Sequence, residues 1–116
     1  MCKHASGAGR GAVETVALSQ SRAAYRVDAN QPAIVRALRD IGASVQHLHM
    51  VGRGCPDLLV GYHGVNYLME IKVDEKATFT EDEYRWRTEW FGNVFVVTSP
   101  EQAIEIVRTD PRELQY

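Results

Sequence analysis

Two apolar runs, DLLVGY (57–62) and VNYLMEIKV (65–73), are separated by only His63 and Gly64. A connection that short joins neighbouring antiparallel strands in a tight hairpin, with Gly64 free to take the positive φ the turn requires. The turn also sets the register. If Tyr62 pairs with Val65, counting outward in equal steps brings Asp57 opposite Glu70. Directly opposed residues share a face, with Cβ atoms roughly 4.5–5.5 Å apart. Glu70 and Lys72 lie two apart on one strand, so they project to the same side. One hairpin end is therefore expected to gather two acids and one ammonium.

Two carboxylates so placed repel unless a positive charge lies between them. A hard divalent cation suits that place, because Mg²⁺ takes one or two carboxylates and retains several waters. Such waters can meet phosphate oxygens or act as a nucleophile. Lys72 beside them can stabilise the charge that develops on phosphorus oxygens or orient the attacking water. Ile71, between Glu70 and Lys72, is expected to point into the core while its backbone carbonyl remains able to ligate the metal. The plainer account of Glu-x-Lys is an exposed ion pair worth about 0–1 kcal/mol. Asp57 in register, behind Pro56 and the glycine-rich GRG, weighs towards a site.

The rest of the chain supplies the frame. Asn30 is a suitable N-cap, Pro32 is tolerated in a first turn, and Gly42 fits just beyond the helix end. Between them Ile34, Leu38 and Ile41 form an apolar stripe, giving a helix of about three turns. ASVQHLHMV reads as a strand and GRGCP as a loop. Thr80 and Glu83 have the spacing of a capping box that opens the helix EDEYRWRTEWF, which stops at Gly92. NVFVVT is a β-branched strand, and Ser99 with Pro100 starts a last helix packed through Ala103, Ile104 and Val107. The order α-β-β-β-α-β-α predicts an α/β fold, a mixed four-stranded sheet flanked by helices. Residues 1–27 are expected to be a flexible or partly helical extension, and residues 28–116 the domain. GAGRG near the start has no preceding strand and does not make a phosphate loop.

Pro56-Asp57 followed by Glu70-Ile71-Lys72 resembles the PD-(D/E)XK nuclease signature. Within that superfamily, residues 28–107 resemble the stand-alone, phage-type VRR-NUC nucleases, most strongly from Arg53 to Lys72. The resemblance implies a restriction-endonuclease-like αβββαβ core. It also implies Mg²⁺- or Mn²⁺-dependent hydrolysis of phosphodiester bonds in DNA, structure-selective for branched substrates such as four-way junctions. Asp57 and Glu70 would be metal ligands, Ile71 a carbonyl ligand and Lys72 the catalytic lysine. A homodimer is implied as well, in the cytoplasm, with a phage gene expressed in a bacterial host as one origin. Two positions depart from the pattern. Gln31 stands where a first-helix glutamate often assists the metal, and as a neutral amide it favours one cation over two. Tyr84 or a neighbour stands where the following helix often carries glutamine.

Charge and minor candidates complete the picture. The net charge of −2 conceals an asymmetry, with 7 Lys/Arg against 3 Asp/Glu in residues 1–56 and 6 against 12 in residues 57–116. The basic part, with Arg22, Arg26, Arg36, Arg39 and Arg53, can supply phosphate contacts. Arg53, just ahead of Asp57, is placed to hold a phosphate beside the metal. No apolar run approaches the roughly 20 residues of a membrane span or the length of a secretory signal. Cys2 and Cys55 form neither a CxxC pair nor a zinc pattern, which suits two reduced thiols. His47 and His49 share a strand face but lack a third ligand. Trp86 and Trp90 are an i, i+4 pair suited either to the core or to a dimer contact. Two other classes remain open: a nuclease-fold DNA-binding or assembly module with little turnover, and a small-molecule phosphohydrolase.

Overall fold

The computed structural model describes residues 28–109. They form α1 (Gln31–Asp40), β1 (Ser44–His47), β2 (Leu58–Tyr62), β3 (Val65–Ile71), α2 (Glu81–Glu89), β4 (Phe95–Val97) and α3 (Pro100–Arg108). The proposed extension over residues 1–27, with Cys2, Arg22 and Arg26, lies outside the described residues. The strands make one sheet in the order β1-β2-β3-β4. β1 and β3 run antiparallel to β2, while β4 runs parallel to β3 after the crossover through α2. This is the mixed α/β sheet, consistent with a restriction-endonuclease-like core, that the order of elements predicts.

The hairpin folds as its turn requires. His63 and Gly64 take φ of 50° and 82°, and Tyr62 pairs with Val65. Positive φ at both central positions gives the turn a twist that matches the strands. Pairing proceeds in even register to Leu58 opposite Met69. Leu58, Val60, Tyr67, Met69 and Ile71 therefore turn to one face, where Ile34, Val35 and Leu38 of α1 and Ala103 and Val107 of α3 cover them. The strands ASVQHLHMV and NVFVVT are shorter than their apolar lengths suggest, because pairing extends only over Ser44–His47 and Phe95–Val97.

The other face is thinly covered. α2 contributes no buried residue. Trp86 and Trp90 stack on each other at 4.7 Å, with Trp90 exposed, so the pair is not core. α2 ends at Glu89, two residues short of the predicted end, as Trp90 turns to an extended conformation.

Asn30 occupies the N-cap position of α1, but its side chain makes no capping bond. Instead its amide donates to the carbonyls of Lys72 (2.9 Å) and Thr98 (2.8 Å). It thus ties the ends of β3 and β4 to the start of the first helix. At α3 the local rule does hold, for the Ser99 hydroxyl accepts from the Gln102 N–H at 3.2 Å.

Candidate active site

Asp57 is the first residue before β2 and its backbone is held on both sides. Its N–H donates to the Met69 carbonyl at 3.1 Å, and its own carbonyl accepts from the Leu48 N–H at 2.9 Å. The N–H does not reach Glu70, so the regular ladder stops at Leu58–Met69. The side chain takes over: Oδ2 accepts from the Ile71 N–H at 2.7 Å. A carboxylate oxygen here fills the place of a ladder carbonyl, which locks the orientation of Asp57 against the end of β3.

Glu70 is 4% exposed. Burial first, then the charges of Asp57 and Glu83, push its carboxyl up to about 9. Asp57 is raised too, by burial above all, although the Ile71 N–H opposes the shift. The two acids thus share one electrostatic neighbourhood, although the regular pairing expected to set Asp57 opposite Glu70 ends one residue earlier.

Lys72 follows β3, and its N–H donates to the Val97 carbonyl at 3.0 Å. Its ammonium lies 3.6 Å from Glu70 Oε2 and 2.7 Å from Glu83 Oε1. Burial lowers the ammonium pKa, but the Glu83 hydrogen bond and the Glu83 and Glu70 charges more than offset this and leave it above the usual value. Lys72 is therefore held as a cation.

Glu83 is the member of this cluster that the sequence did not single out. Its spacing from Thr80 announces a capping box, and the box forms: Oε1 accepts from the Thr80 N–H at 2.9 Å while the Thr80 hydroxyl accepts from the Glu83 N–H at 3.1 Å. The same Oε1 also receives Lys72. Burial raises the Glu83 carboxyl, yet the hydrogen bonds from Lys72 and Thr80 outweigh it and bring it below the ordinary value. Tyr84, the position weighed for this place, is exposed.

A glycine seats α2 here. Gly54 has φ of 84°, and a Cβ on it would overlap the Asp82 carbonyl. Gly52 has φ of 73° with open space around it. Gly54→Ala should therefore cost clearly more stability in urea unfolding than Gly52→Ala, which carries only the left-handed backbone penalty of about 1 kcal/mol. The difference between the two reports how firmly the loop holds Glu83 against Lys72.

The remaining predicted residues are distributed around this cluster. Arg53, φ 57°, lies exposed at the tip of the same loop. Gln31 is buried, and its amide nitrogen lies 3.4 Å from His47 Nδ1. His47 is lowered by burial, then by Arg39 and His49, and His49 meets it edge-on at 6.2 Å. Cys55 is a free thiol raised by burial and by Glu70 and Asp57. Among the described residues, no three His, Cys, Asp or Glu side chains form a ready metal cage. Two carboxylates do match the donor type that Mg²⁺ or Mn²⁺ accepts. The excess of Asp57, Glu70 and Glu83 over Lys72 gives a cation a reason to bind.

The fold has a solved counterpart. A structure described as a VRR_NUC domain is similar to this chain over 69% of its length and over 96% of that structure, with 28% sequence identity and a TM-score of 0.55. No family model and no curated protein matches the sequence.

Proposed function

The chain belongs to the VRR-NUC family of nuclease domains, and on that premise we propose that it hydrolyses phosphodiester bonds in DNA as a metal-dependent endonuclease. The observation that carries this is the burial of Glu70 among Asp57, Lys72 and Glu83, which leaves its negative charge short of a counterion. The domain proper is residues 28–116.

Asp57 and Glu70 would hold Mg²⁺ or Mn²⁺, with the Ile71 carbonyl as a further donor and Gln31 acting through water. The metal supplies Lewis-acid charge to the phosphate and acidifies water. The protein's own groups do the rest. The Ile71 N–H keeps Asp57 from turning away. Lys72, paired with Glu83, which holds its pKa above the usual value, offers an ammonium to a developing phosphorane oxygen. Arg53, exposed on the loop that precedes Asp57, would grip a neighbouring phosphate. Gln31 in place of an acid favours a single metal.

Branched DNA, such as a four-way junction, is the substrate class in this proposal, cut by a homodimer in the cytoplasm. Exposed Leu59 and Val96 on the open sheet face, with Trp90 and Phe91 beyond α2, support an apolar contact between two copies. Among the described residues, no helix is long and apolar enough to cross a membrane.

The test is a cleavage panel of linear, flap and four-way DNA with Mg²⁺, Mn²⁺ or EDTA, alongside light scattering. Metal-dependent cuts concentrated at the branch, from a particle of twice the chain mass, are expected. Binding to these DNAs without cleavage in either metal would instead identify a nuclease-fold binding module, the alternative that Gln31 favours.

A further inference from the structure

Arg87 stands one helical turn after Glu83 on α2, so the two side chains share a helix face. Glu83 nevertheless pairs with Lys72. The Arg87 guanidinium instead lies over the Phe79 ring, its carbon 4.6 Å from the centroid, and the Lys72 ammonium lies 5.3 Å from the same centroid. One ring therefore holds both cations, which places them within about 10 Å of each other.

Arg87 is half-buried, and among the described residues it has neither an ion pair nor a hydrogen bond; its Nη1 is buried with no partner. Taking a guanidinium partly out of water with no anion beside it is unfavourable. Next to it is a shallow recess of about 200 Å³, lined by Arg87, Gly92, Asn93 and Val94. No acidic side chain lines this recess, in contrast to the Lys72 cluster. The planar fork of arginine matches two phosphate oxygens at once.

We infer that Arg87 and the recess beside it form a second phosphate seat, which takes a DNA backbone phosphate near the one held at Lys72. This rests on the nuclease reading and adds to it the path of the strand: from Lys72, across Phe79, towards Gly92–Val94. Two cations no more than about 10 Å apart can serve neighbouring phosphates of one strand. Arg87 is thus a positioning residue. Phe79 sets its direction, and the guanidinium brings to the phosphate a positive charge that no acidic side chain of the recess neutralises.

The test measures binding separately from cleavage. Fluorescence anisotropy of a labelled four-way DNA, with Ca²⁺ replacing Mg²⁺, is followed from low to high salt for the wild type, Arg87→Gln and Arg87→Lys. Arg87→Gln should weaken binding about fivefold to tenfold and reduce the slope of log Kd against log salt by about 0.9, the loss of one phosphate contact. Arg87→Lys should keep the slope and recover only part of the affinity, because the charge remains and the fork is lost. Arg87→Gln should lower the thermal midpoint of free protein by no more than the few degrees that one lost cation–π contact with Phe79 accounts for, and Arg87→Lys by less. An unchanged salt slope in Arg87→Gln, with wild-type protein that binds and cleaves DNA, overturns the seat and leaves the nuclease reading intact. An Arg87→Gln protein that is less stable with the slope unchanged also overturns it, by showing a structural role. Wild-type protein that neither binds nor cleaves any DNA overturns both.

Discussion

Replacing Glu70 by glutamine should make the metal-free protein more stable at pH 8. The Glu70 carboxyl is pushed from its ordinary 4.5 to about 9, by burial first and then by Asp57 and Glu83. As pH rises from the ordinary value, the unfolded chain gives up a proton that the folded chain still holds, so stability falls and levels off only above the folded value. Each unit corresponds to about 1.4 kcal/mol, and half of this shift alone amounts to about 3 kcal/mol. Glutamine has nearly the same shape and never ionises. Glu70→Gln should therefore raise the thermal midpoint at pH 8 by about 10 °C or more, with the gain shrinking towards pH 5. Mg²⁺ or Mn²⁺ should stabilise the wild type and release a proton as it binds, yet leave Glu70→Gln unmoved. A glutamine variant less stable than wild type at pH 8 would mean that the glutamate is structural and that its neighbourhood is not short of positive charge.

Removing the ammonium next to it should act in the opposite direction. Lys72 is 12% exposed at its side chain and is the cation that serves both Glu70 and Glu83. Lys72→Met takes the neighbouring cation from Glu83 and Glu70, both mostly buried, at a cost of about 3 kcal/mol. It should also abolish turnover. The double variant Lys72→Met/Glu83→Gln separates the two effects, since a neutral residue 83 no longer needs the ammonium and still accepts from the Thr80 N–H. Urea unfolding should show stability largely recovered in the double variant, while single-turnover cleavage stays absent. If cleavage returns with stability, the lysine has only a structural part. Because Lys72 sits above the usual lysine range, the pH–rate profile of the wild type should show no limb from lysine deprotonation near neutrality.

Both outcomes depend on contacts of very different legibility. The hairpin could be read from His63-Gly64 and the alternation on either side of it, because a two-residue turn permits one register and a one-residue slip would turn Met69 and Leu58 out of the core. The end of that ladder could not. Asp57 was expected directly opposite Glu70, but the backbone departs from regular pairing there and the carboxylate itself receives the Ile71 N–H. Asn30 shows the same divide: its residue type suits a cap, yet two carbonyls 42 and 68 residues away claim its amide.

What the sequence by itself determined was local: helix starts at Thr80 and Ser99, the turn at His63-Gly64, and the face shared by Glu70 and Lys72. These follow from backbone geometry and side-chain period over a few residues, which no distant neighbour needs to supply. Only the tertiary structure decided that Glu83 leaves its capping role half-shared to hold Lys72, that Gln31 meets His47, and that Arg87 and Lys72 flank one phenyl ring. Those pairings depend on how α1 and α2 dock at the ends of β2 and β3, where burial and charge are set jointly by segments that no spacing rule connects.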